Sequence, residues 1–274
     1  MNIRGQQSQS HARAGALELA CHQDLFDATP PDIRATLGWR CEDVGGALVS
    51  LAANAPSILF NRTIGLGRQE PASAEAVDEI QEKYAKAGVE RYFVHIDPQA
   101  EPPQLRDWLT KAGLEPQRRW VKFERDARPV AEVRTALHIA RIEARHSTAF
   151  GRIVADGFDL GASASELFPP VVERPGWHLL GAFDADEPVA AGVLFVRDGI
   201  GYLNFAATAP SHRRKGAQRA LLAARIDAAH ELGCTQLFTE TGEAVPGDPQ
   251  HSYHNIERAG FAPAYRIDNY APKR

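Results

Sequence analysis

The feature that most limits what this chain can fold into is the stretch 206–222, where an apolar run meets a basic turn and then a helical pattern. Pro210 ends the run, and the turn that follows reads His212-Arg213-Arg214-Lys215-Gly216. The first amides of a helix have no partner within the helix and carry a partial positive charge. Gly216 can adopt a backbone shape that other residues resist, and it lets a ligand approach closely. We therefore predict an anion site here, of the kind that holds a phosphate or pyrophosphate.

Composition limits the classes of protein that this chain can belong to. With 274 residues, two domains are expected, and the 44% hydrophobic and 24% charged residues are ordinary for a globular protein. A net charge of −4 disfavours a general nucleic-acid binder. Three widely spaced cysteines and the lack of a long apolar run favour a reduced, cytoplasmic location and no membrane span. The ten histidines show no metal-binding spacing, so no metal is expected.

The chain divides into two halves around a polar segment. Residues 125–136 are charged and contain Pro129, which makes them the best candidate linker. Residues 1–14 are polar and lack the apolar core of a secretory signal, so we expect a frayed tail. The expected domains are therefore 15–124 and 137–274.

The pattern of the second half predicts a mixed α/β fold. It gives a strand, two helices, three antiparallel strands, a helix, a strand, a helix and a final strand. The three consecutive strands are predicted at 177–183, 189–196 and 200–208, and the last strand at 265–270.

Two sequence landmarks indicate an internal repeat. Lys111-Ala112-Gly113-Leu114 resembles Arg258-Ala259-Gly260-Phe261, and both end a predicted helix before a strand. Gly88 and Gly233 occupy a similar helix-to-strand position at nearly the same offset. We expect two copies of one fold.

The two copies differ before their long helices. In the first half this segment is 66–73, which holds one arginine, one acid and a proline. It does not offer the row of free amides and positive charge that residues 213–218 offer. We therefore expect one anion site per chain, with the first copy structural or shaping the acceptor pocket.

The residues of the second half resemble the GNAT superfamily of acetyl-CoA-dependent N-acetyltransferases. The signature of that family is Arg/Gln-x-x-Gly-x-Gly/Ala at a strand-to-helix turn, and this chain has Arg213-Arg214-Lys215-Gly216-Ala217-Gln218. Gln218 departs from the small residue of the signature. The resemblance covers residues 137–274, and the first half resembles the degenerate copy of tandem members. It implies two tandem GNAT-like domains, each a mostly antiparallel sheet flanked by helices with a splayed central strand pair.

The resemblance also implies where coenzyme A binds. Backbone groups of Ala206 and Thr208 would pair with the pantetheine arm as an added strand does. The amides of Arg214 to Gln218 would hold the pyrophosphate, and Arg219 would add charge. Asn255 either bonds the pantetheine or caps a turn. The complete expected set is Ala206, Ala207, Thr208, Arg213, Arg214, Lys215, Gly216, Ala217, Gln218, Arg219 and Asn255.

The sequence offers fewer candidates for the catalytic groups than for the coenzyme A site. An amine that attacks a thioester needs a base, a group that polarises the carbonyl and an acid for the leaving thiolate. Glu240 ends the strand after the long helix and is the leading base candidate, against a surface acid as the alternative. The family commonly has a tyrosine four residues before the final Gly-Phe pair, where this chain has Ile256. Tyr253 or Ser252 could replace it as the acid, with helix packing as the alternative.

Three functions remain open on the sequence. The first is an N-acetyltransferase that uses acetyl-CoA to acylate a small-molecule or peptide amine by direct attack. The second is a non-catalytic acyl-CoA-binding regulatory module, suggested by the missing tyrosine. The third is a transferase with an aminoacyl-tRNA donor, which the acidic balance disfavours. The sequence identifies neither the acceptor nor the oligomeric state.

Overall fold

The computed structural model describes residues 3–131 and 133–273. Helices and strands occur along the whole of this length. The elements of the first half are α1 (Ile3–Ala28), α2 (Pro31–Leu37), β1 (Trp39–Val44), β2 (Ala47–Ala52), β3 (Arg62–Ile64), α3 (Ala74–Lys86), β4 (Phe93–Ile96), α4 (Leu105–Lys111) and β5 (Leu114–Asp126). Those of the second half are β6 (His138–Arg141), α5 (Ser147–Phe158), β7 (Trp177–Asp184), β8 (Glu187–Arg197), β9 (Ile200–Thr208), α6 (Ala217–Glu231), β10 (Gln236–Gly242), α7 (His251–Arg258) and β11 (Ala262–Pro272).

The order of elements repeats, as the glycine landmarks predict. A hairpin, a strand, a helix, a strand, a helix and a strand run from β1 to β5 and again from β7 to β11. In each copy the third and fourth strands are parallel, through pairs such as Thr63↔Val94 in one copy and Leu203↔Thr239 in the other. The two copies therefore share one topology of mixed α/β type.

The chain forms two compact units. Unit 1 comprises Met1–Cys21 and Lys122–Ala264, and unit 2 comprises His22–Val121 and Tyr265–Arg274. Within unit 2 the strand order is β1-β2-β3-β4-β11 followed by the start of β5, and within unit 1 it is the end of β5 followed by β10-β9-β8-β7-β6. Strand pairs are mostly antiparallel in both units.

The units do not coincide with the expected domains 15–124 and 137–274. The difference arises from the last strand of each copy: β11 pairs with β4 of the first copy, through Asn269↔His95, and the end of β5 lies beside β10 of the second. Strand pairing brings together segments that are far apart in sequence, so a division by composition does not reveal it.

The segment 1–14 is not the frayed tail that its polarity suggests, because α1 begins at Ile3. Ala14, Leu17 and Cys21 are buried at helical spacing and give the helix an apolar stripe. Polar side chains hold its earlier turns: Ser10 Oγ donates to Glu124, and Arg13 donates to Gln236 at 3.2 Å. Side-chain contacts of this kind leave no apolar signal in the sequence.

The segment 125–136 starts inside a strand, since β5 continues to Asp126. Arg125 donates to the carbonyl of Ala259, and its guanidinium lies 5.7 Å from the ring of Phe261. Residues 127–131 and 133–135 belong to neither a helix nor a strand. The irregular connection is therefore shorter than the linker expected from composition.

Unit 2 buries a histidine whose charge the fold does not accommodate. His22 Nε2 lies 2.9 Å from Ser50 Oγ, which also accepts a hydrogen bond from the Trp39 indole at 3.0 Å. Burial, followed by the positive charge of Arg62 and the nearby His95, lowers the pKa of His22 well below its ordinary value of 6.5. The imidazole is therefore neutral in the folded protein.

This burial makes stability depend on pH in one direction. Below about pH 6.5 the unfolded chain binds a proton at His22 that the folded chain does not, so the free energy of unfolding falls as pH falls, by up to about 1.4 kcal/mol per pH unit. Urea unfolding between pH 8 and pH 5 should show a steeper loss in the wild type than in His22→Gln, which keeps a polar partner for Ser50. Equal slopes would contradict the assignment.

Candidate functional site

The start of α6 has the geometry of an anion site. Gly216 precedes the helix with a φ of 84°, and Arg214 has a φ of 68°, so both lie in the left-handed region. The first helical bond runs from the amide of Ala220 to the carbonyl of Gly216 at 3.1 Å. The amides of residues 217–219 therefore have no acceptor within the helix, and they are available to an anion.

Basic side chains surround this helix start without filling it. Arg213, Arg214, Lys215 and Arg219 are exposed. A Cβ added to Gly216 would meet no atom nearer than 3.8 Å. His212, which the sequence places in the same basic cluster, instead lies 2.9 Å from Asp184 through its Nε2.

Gln218, the departure from the family signature, has a defined place. Its Nε2 donates to Thr208 Oγ1 at 2.7 Å. The side chain therefore ties the first turn of α6 to the end of β9. The larger residue makes a contact between two segments of the predicted coenzyme A site that a glycine or alanine could not make.

The equivalent helix start in unit 2 is already satisfied by its own residues. Ser73 Oγ accepts a hydrogen bond from the amide of Ala76 at 3.1 Å and caps α3. Glu75 adds a negative charge to the first turn. Arg68 donates to the carbonyl of Gln99 at 2.8 Å and is held away from any anion role. These contacts agree with the expectation that the first copy lacks the anion site.

Strand β9 is distorted where the arm of a bound ligand would lie. Ala191 faces Ala207 and Val193 faces Asn204, so β9 has an extra residue opposite Gly192, and Phe205 has a φ of 45°. This is a β-bulge, which bends the strand. The predicted residues Ala206 and Thr208 are half-buried and Ala207 is buried.

A buried arginine supports the bulge from the helix side. Arg225 of α6 donates to the carbonyls of Val193 and Asn204, both at 3.3 Å, and its Nε donates to Leu221 at 3.1 Å. Burial lowers its pKa to about 10, so it stays charged at neutral pH. A Cβ on Gly192 would lie 3.0 Å from the Arg225 Nε, which explains the need for glycine at this point.

The pairing of β9 with β10 ends just before the bulge. The parallel register runs from Gln236↔Ile200 to Thr239↔Leu203, and β10 continues to Gly242. The family resemblance implies a splayed strand pair, and the end of this register is the place where β9 and β10 would part. From Asn204 onward, β9 would then offer its edge to an extended ligand arm, as in strand addition.

Glu240, the base candidate, is the first residue of β10 beyond this register, and it lies in a buried network. Lys122 Nζ donates to Glu240 Oε2 and, at 2.6 Å, to Glu18 of α1. The Tyr202 hydroxyl donates to Glu240 Oε1 at 2.5 Å. Lys122 is 2% exposed, Glu18 4% and Glu240 13%, so the alternative of a solvated surface acid does not describe this residue.

The ammonium of Lys122 is the centre of the network. Burial by itself would lower the pKa of Lys122, but the negative charges of Glu18 and Glu240 outweigh it, and the pKa is raised above its ordinary value. The group is therefore a cation between two carboxylates throughout the physiological range. Its Nζ also lies 5.8 Å from the centre of the Tyr202 ring.

Asn204 adds an acceptor on the same strand. Tyr202 and Asn204 are two residues apart on β9, and such residues share a face of a strand. Asn204 Nδ2 donates to Cys21 Sγ at 3.3 Å, while its buried Oδ1 accepts no hydrogen bond from the described residues.

Three of the residues predicted from the sequence, Tyr253, Ser252 and Asn255, lie on α7. The ring of Tyr253 packs edge-on against Phe123, with centroids 4.9 Å apart, so the structure gives it a packing contact. Ser252 is exposed at the start of the helix. Asn255 is half-buried, and its carbonyl accepts the amide of Ala259 at the helix end. Their proposed chemical roles remain predictions.

Sequence reasoning missed four residues of this site: Glu18, Lys122, Tyr202 and Arg225. Lys122 carried the clearest signal, since it interrupts the apolar strand Trp120-Val121-Lys122-Phe123. A lysine is almost never fully buried unless it is paired. Its partners could not be inferred, because 104 and 118 positions separate it from Glu18 and Glu240.

Neither a metal site nor a membrane helix stands out in the part of the chain that the structure describes. No group of three or more histidine, cysteine or acidic side chains is arranged there to hold a metal ion. None of the helices in those residues has the length and apolar character needed to cross a bilayer.

Arg225→Leu should destabilise the protein by about 2–4 kcal/mol, because two buried carbonyls at the bulge lose their donor. The exposed Arg152→Leu, on α5, is the matched control and should change stability by less than about 0.5 kcal/mol. Chemical denaturation of both variants measures the difference. Equal stabilities would show that Arg225 does not support the bulge.

Comparison with known proteins agrees with this architecture. A model of the acetyltransferase (GNAT) family matches residues 152–261, which include the bulge, the start of α6 and Glu240. No curated protein matches significantly.

Several solved structures share the fold. The chain is similar to a GCN5-related N-acetyltransferase from Kribbella flavida, with 18% identity and a TM-score of 0.66 over 95% of this chain and 96% of that one. It is also similar to a tandem GNAT protein from the clavulanic acid biosynthesis pathway, with 15% identity and a TM-score of 0.55 over 84% and 80% of the two chains. A GNAT-family acetyltransferase from Colwellia psychrerythraea gives 17% identity and a TM-score of 0.53 over 94% and 97%.

At these identities the solved structures establish the fold, and the matched segment establishes the kind of domain. Residues 152–261 therefore match the acetyltransferase (GNAT) family, and the chain has the fold of the solved GNAT proteins.

Proposed function

We propose that this protein transfers an acetyl group from acetyl-CoA to the amine of a small molecule or peptide by direct attack. The observation that carries the proposal is the placement of two features in unit 1. An anion-ready helix start follows β9, and a buried carboxylate stands where β9 and β10 stop pairing. The match of residues 152–261 to the acetyltransferase (GNAT) family supports acyl-CoA-dependent acetyl transfer in general.

The residues present fit coenzyme A. The amides of residues 217–219 suit the pyrophosphate, and the exposed Arg213, Arg214 and Arg219 add positive charge. The open edge of β9 offers the backbone groups of Ala206 and Thr208 to the pantetheine arm. Gln218, bonded to Thr208, joins these two parts.

The chemistry needs few further groups. Acetyl-CoA supplies an acetyl thioester, whose carbon–sulfur bond is replaced by a carbon–nitrogen bond while one proton moves from the amine to the sulfur. Glu240 is proposed to accept the proton that the nitrogen loses. A carboxylate only accepts hydrogen bonds when it is ionised, which suits it to take up a proton. The amide of Thr208 is proposed to polarise the carbonyl, and Tyr253 to supply a proton to the thiolate.

The regulatory-module alternative rests on the absence of the usual tyrosine at Ile256. A module that only bound acyl-CoA would need no buried charge at the opening. The network around Glu240 favours the enzyme, because perturbed and buried charged groups concentrate at functional sites.

An isosteric pair of variants tests the anion site. Asparagine and aspartate both tolerate the left-handed backbone of Gly216, so Gly216→Asn and Gly216→Asp differ mainly in one negative charge. Gly216→Asp should bind acetyl-CoA at least about tenfold more weakly than Gly216→Asn in isothermal titration, because the added charge repels the pyrophosphate.

A charge at the other end of the same helix is the control. Leu232 is exposed at the end of α6, and Leu232→Asp should leave acetyl-CoA affinity within about twofold, because it lies roughly 22 Å away along the helix. Equal affinities of Gly216→Asp and Gly216→Asn for acetyl-CoA would show that the helix start is not part of the binding site.

A further inference from the structure

We propose that Glu18 and Lys122 are positioning residues that hold the Glu240 carboxylate in place as the proton acceptor at the opening between β9 and β10. This inference rests on the proposed acetyl transfer and deepens it. It also assigns a role to segments that precede the second copy in the chain.

The contacts of Glu240 restrain it at both oxygens. Lys122 holds Oε2 and the Tyr202 hydroxyl holds Oε1, the latter at 2.5 Å. Such charge-assisted bonds to an ionised acceptor are stronger than neutral ones. With both oxygens held, the carboxylate has one orientation.

Glu18 in turn holds Lys122. Its carboxylate lies 2.6 Å from Nζ, and the ammonium therefore stands between two acids. Removing it would leave two carboxylates facing each other in a buried site, where like charges disfavour ionisation. The ammonium thus separates the two carboxylates and holds Glu240 from one side.

Comparison of the two copies separates this role from simple packing. The glycines that precede β5 and β11 align Lys122 with Asn269, and those that precede β4 and β10 align Glu240 with His95. Asn269 and His95 are direct strand partners in unit 2, and Asn269 Nδ2 donates to the carbonyl of Arg118 at 2.7 Å. The same fold therefore accepts an amide at the position of Lys122. The lysine at this position is found in the copy that also has the anion-ready helix start.

The positions of these residues in the chain have a consequence. Glu18 lies on α1 and Lys122 at the end of β5, and both precede residues 152–261 that match the family. The matched segment alone contains Glu240 and Tyr202 but not the ammonium. On this account the first part of the chain completes the reactive site of the second.

The test uses full-length protein, acetyl-CoA and the amine that the wild type acetylates fastest in a panel of polyamines, amino acids, aminoglycosides and lysine peptides. Lys122→Met should lower kcat at least thirtyfold with the affinity for acetyl-CoA within threefold. The acid side of its pH–rate profile should move to higher pH. Glu18→Gln should have a smaller effect on kcat, of three- to tenfold.

Two further variants keep the result interpretable. The double variant Lys122→Met with Glu18→Gln removes the cation and one carboxylate together, so it keeps the net charge of the network. It takes the place of Lys122→Met in the test if the single variant fails to fold. Asn269→Leu changes the aligned and equally buried residue of unit 2 and should lower thermal stability while kcat stays within twofold.

Crystal structures of the wild type and the double variant give a readout that needs no turnover. We expect the Glu240 carboxylate to leave the Tyr202 hydroxyl in the variant. A folded variant with unchanged kcat and pH profile, or with Glu240 still on Tyr202, would overturn the positioning role. A different result is a wild type that acetylates no amine while the Glu240 carboxylate is displaced in the variant. That result would overturn the proposed function and leave the positioning role standing.

Discussion

The buried ammonium of Lys122 is the interaction on which the arrangement of unit 1 depends. It joins α1, the end of β5 and β10 through two carboxylates, and Tyr202 of β9 completes the set. Taking three charges out of water is costly unless each is paired and hydrogen-bonded. The network therefore fixes where these four segments meet, and it does so at the end of the β9–β10 pairing.

The two copies show how one topology can be used in two ways. In unit 2 the start of α3 is closed by the Ser73 cap, and Arg68 is engaged by Gln99. In unit 1 the start of α6 follows two residues in the left-handed region and keeps its first amides open. A serine cap satisfies such orphan amides within the protein, whereas on the proposed function the open glycine turn leaves them to a ligand.

Local features of this fold could be predicted from the sequence because short-range chemistry determines them. Gly216 before a helical pattern predicted the turn, and the strands predicted at 177–183, 189–196 and 200–208 lie within β7, β8 and β9. The repeat of helix, glycine and strand predicted two copies of one topology. Glu240 could be chosen as the base candidate because it ends a predicted strand beside the expected opening; its role stays a prediction.

The rest depends on pairing between distant segments. The exchange of β5 and β11 between the copies moves the boundaries of both units, and nothing in the composition of either strand indicates its partner. The helix that starts at Ile3 was missed because Ser10 and Arg13 secure it through polar contacts. Lys122 and Glu18 were missed for the same reason, since their partner lies more than a hundred residues away.

A crystal structure of the protein with acetyl-CoA tests the central claim most directly. The account predicts the pyrophosphate on the amides of residues 217–219, the pantetheine arm along the open edge of β9, and the thioester beside Glu240. Pyrophosphate bound at the start of α3, or an arm that does not follow β9, would contradict it.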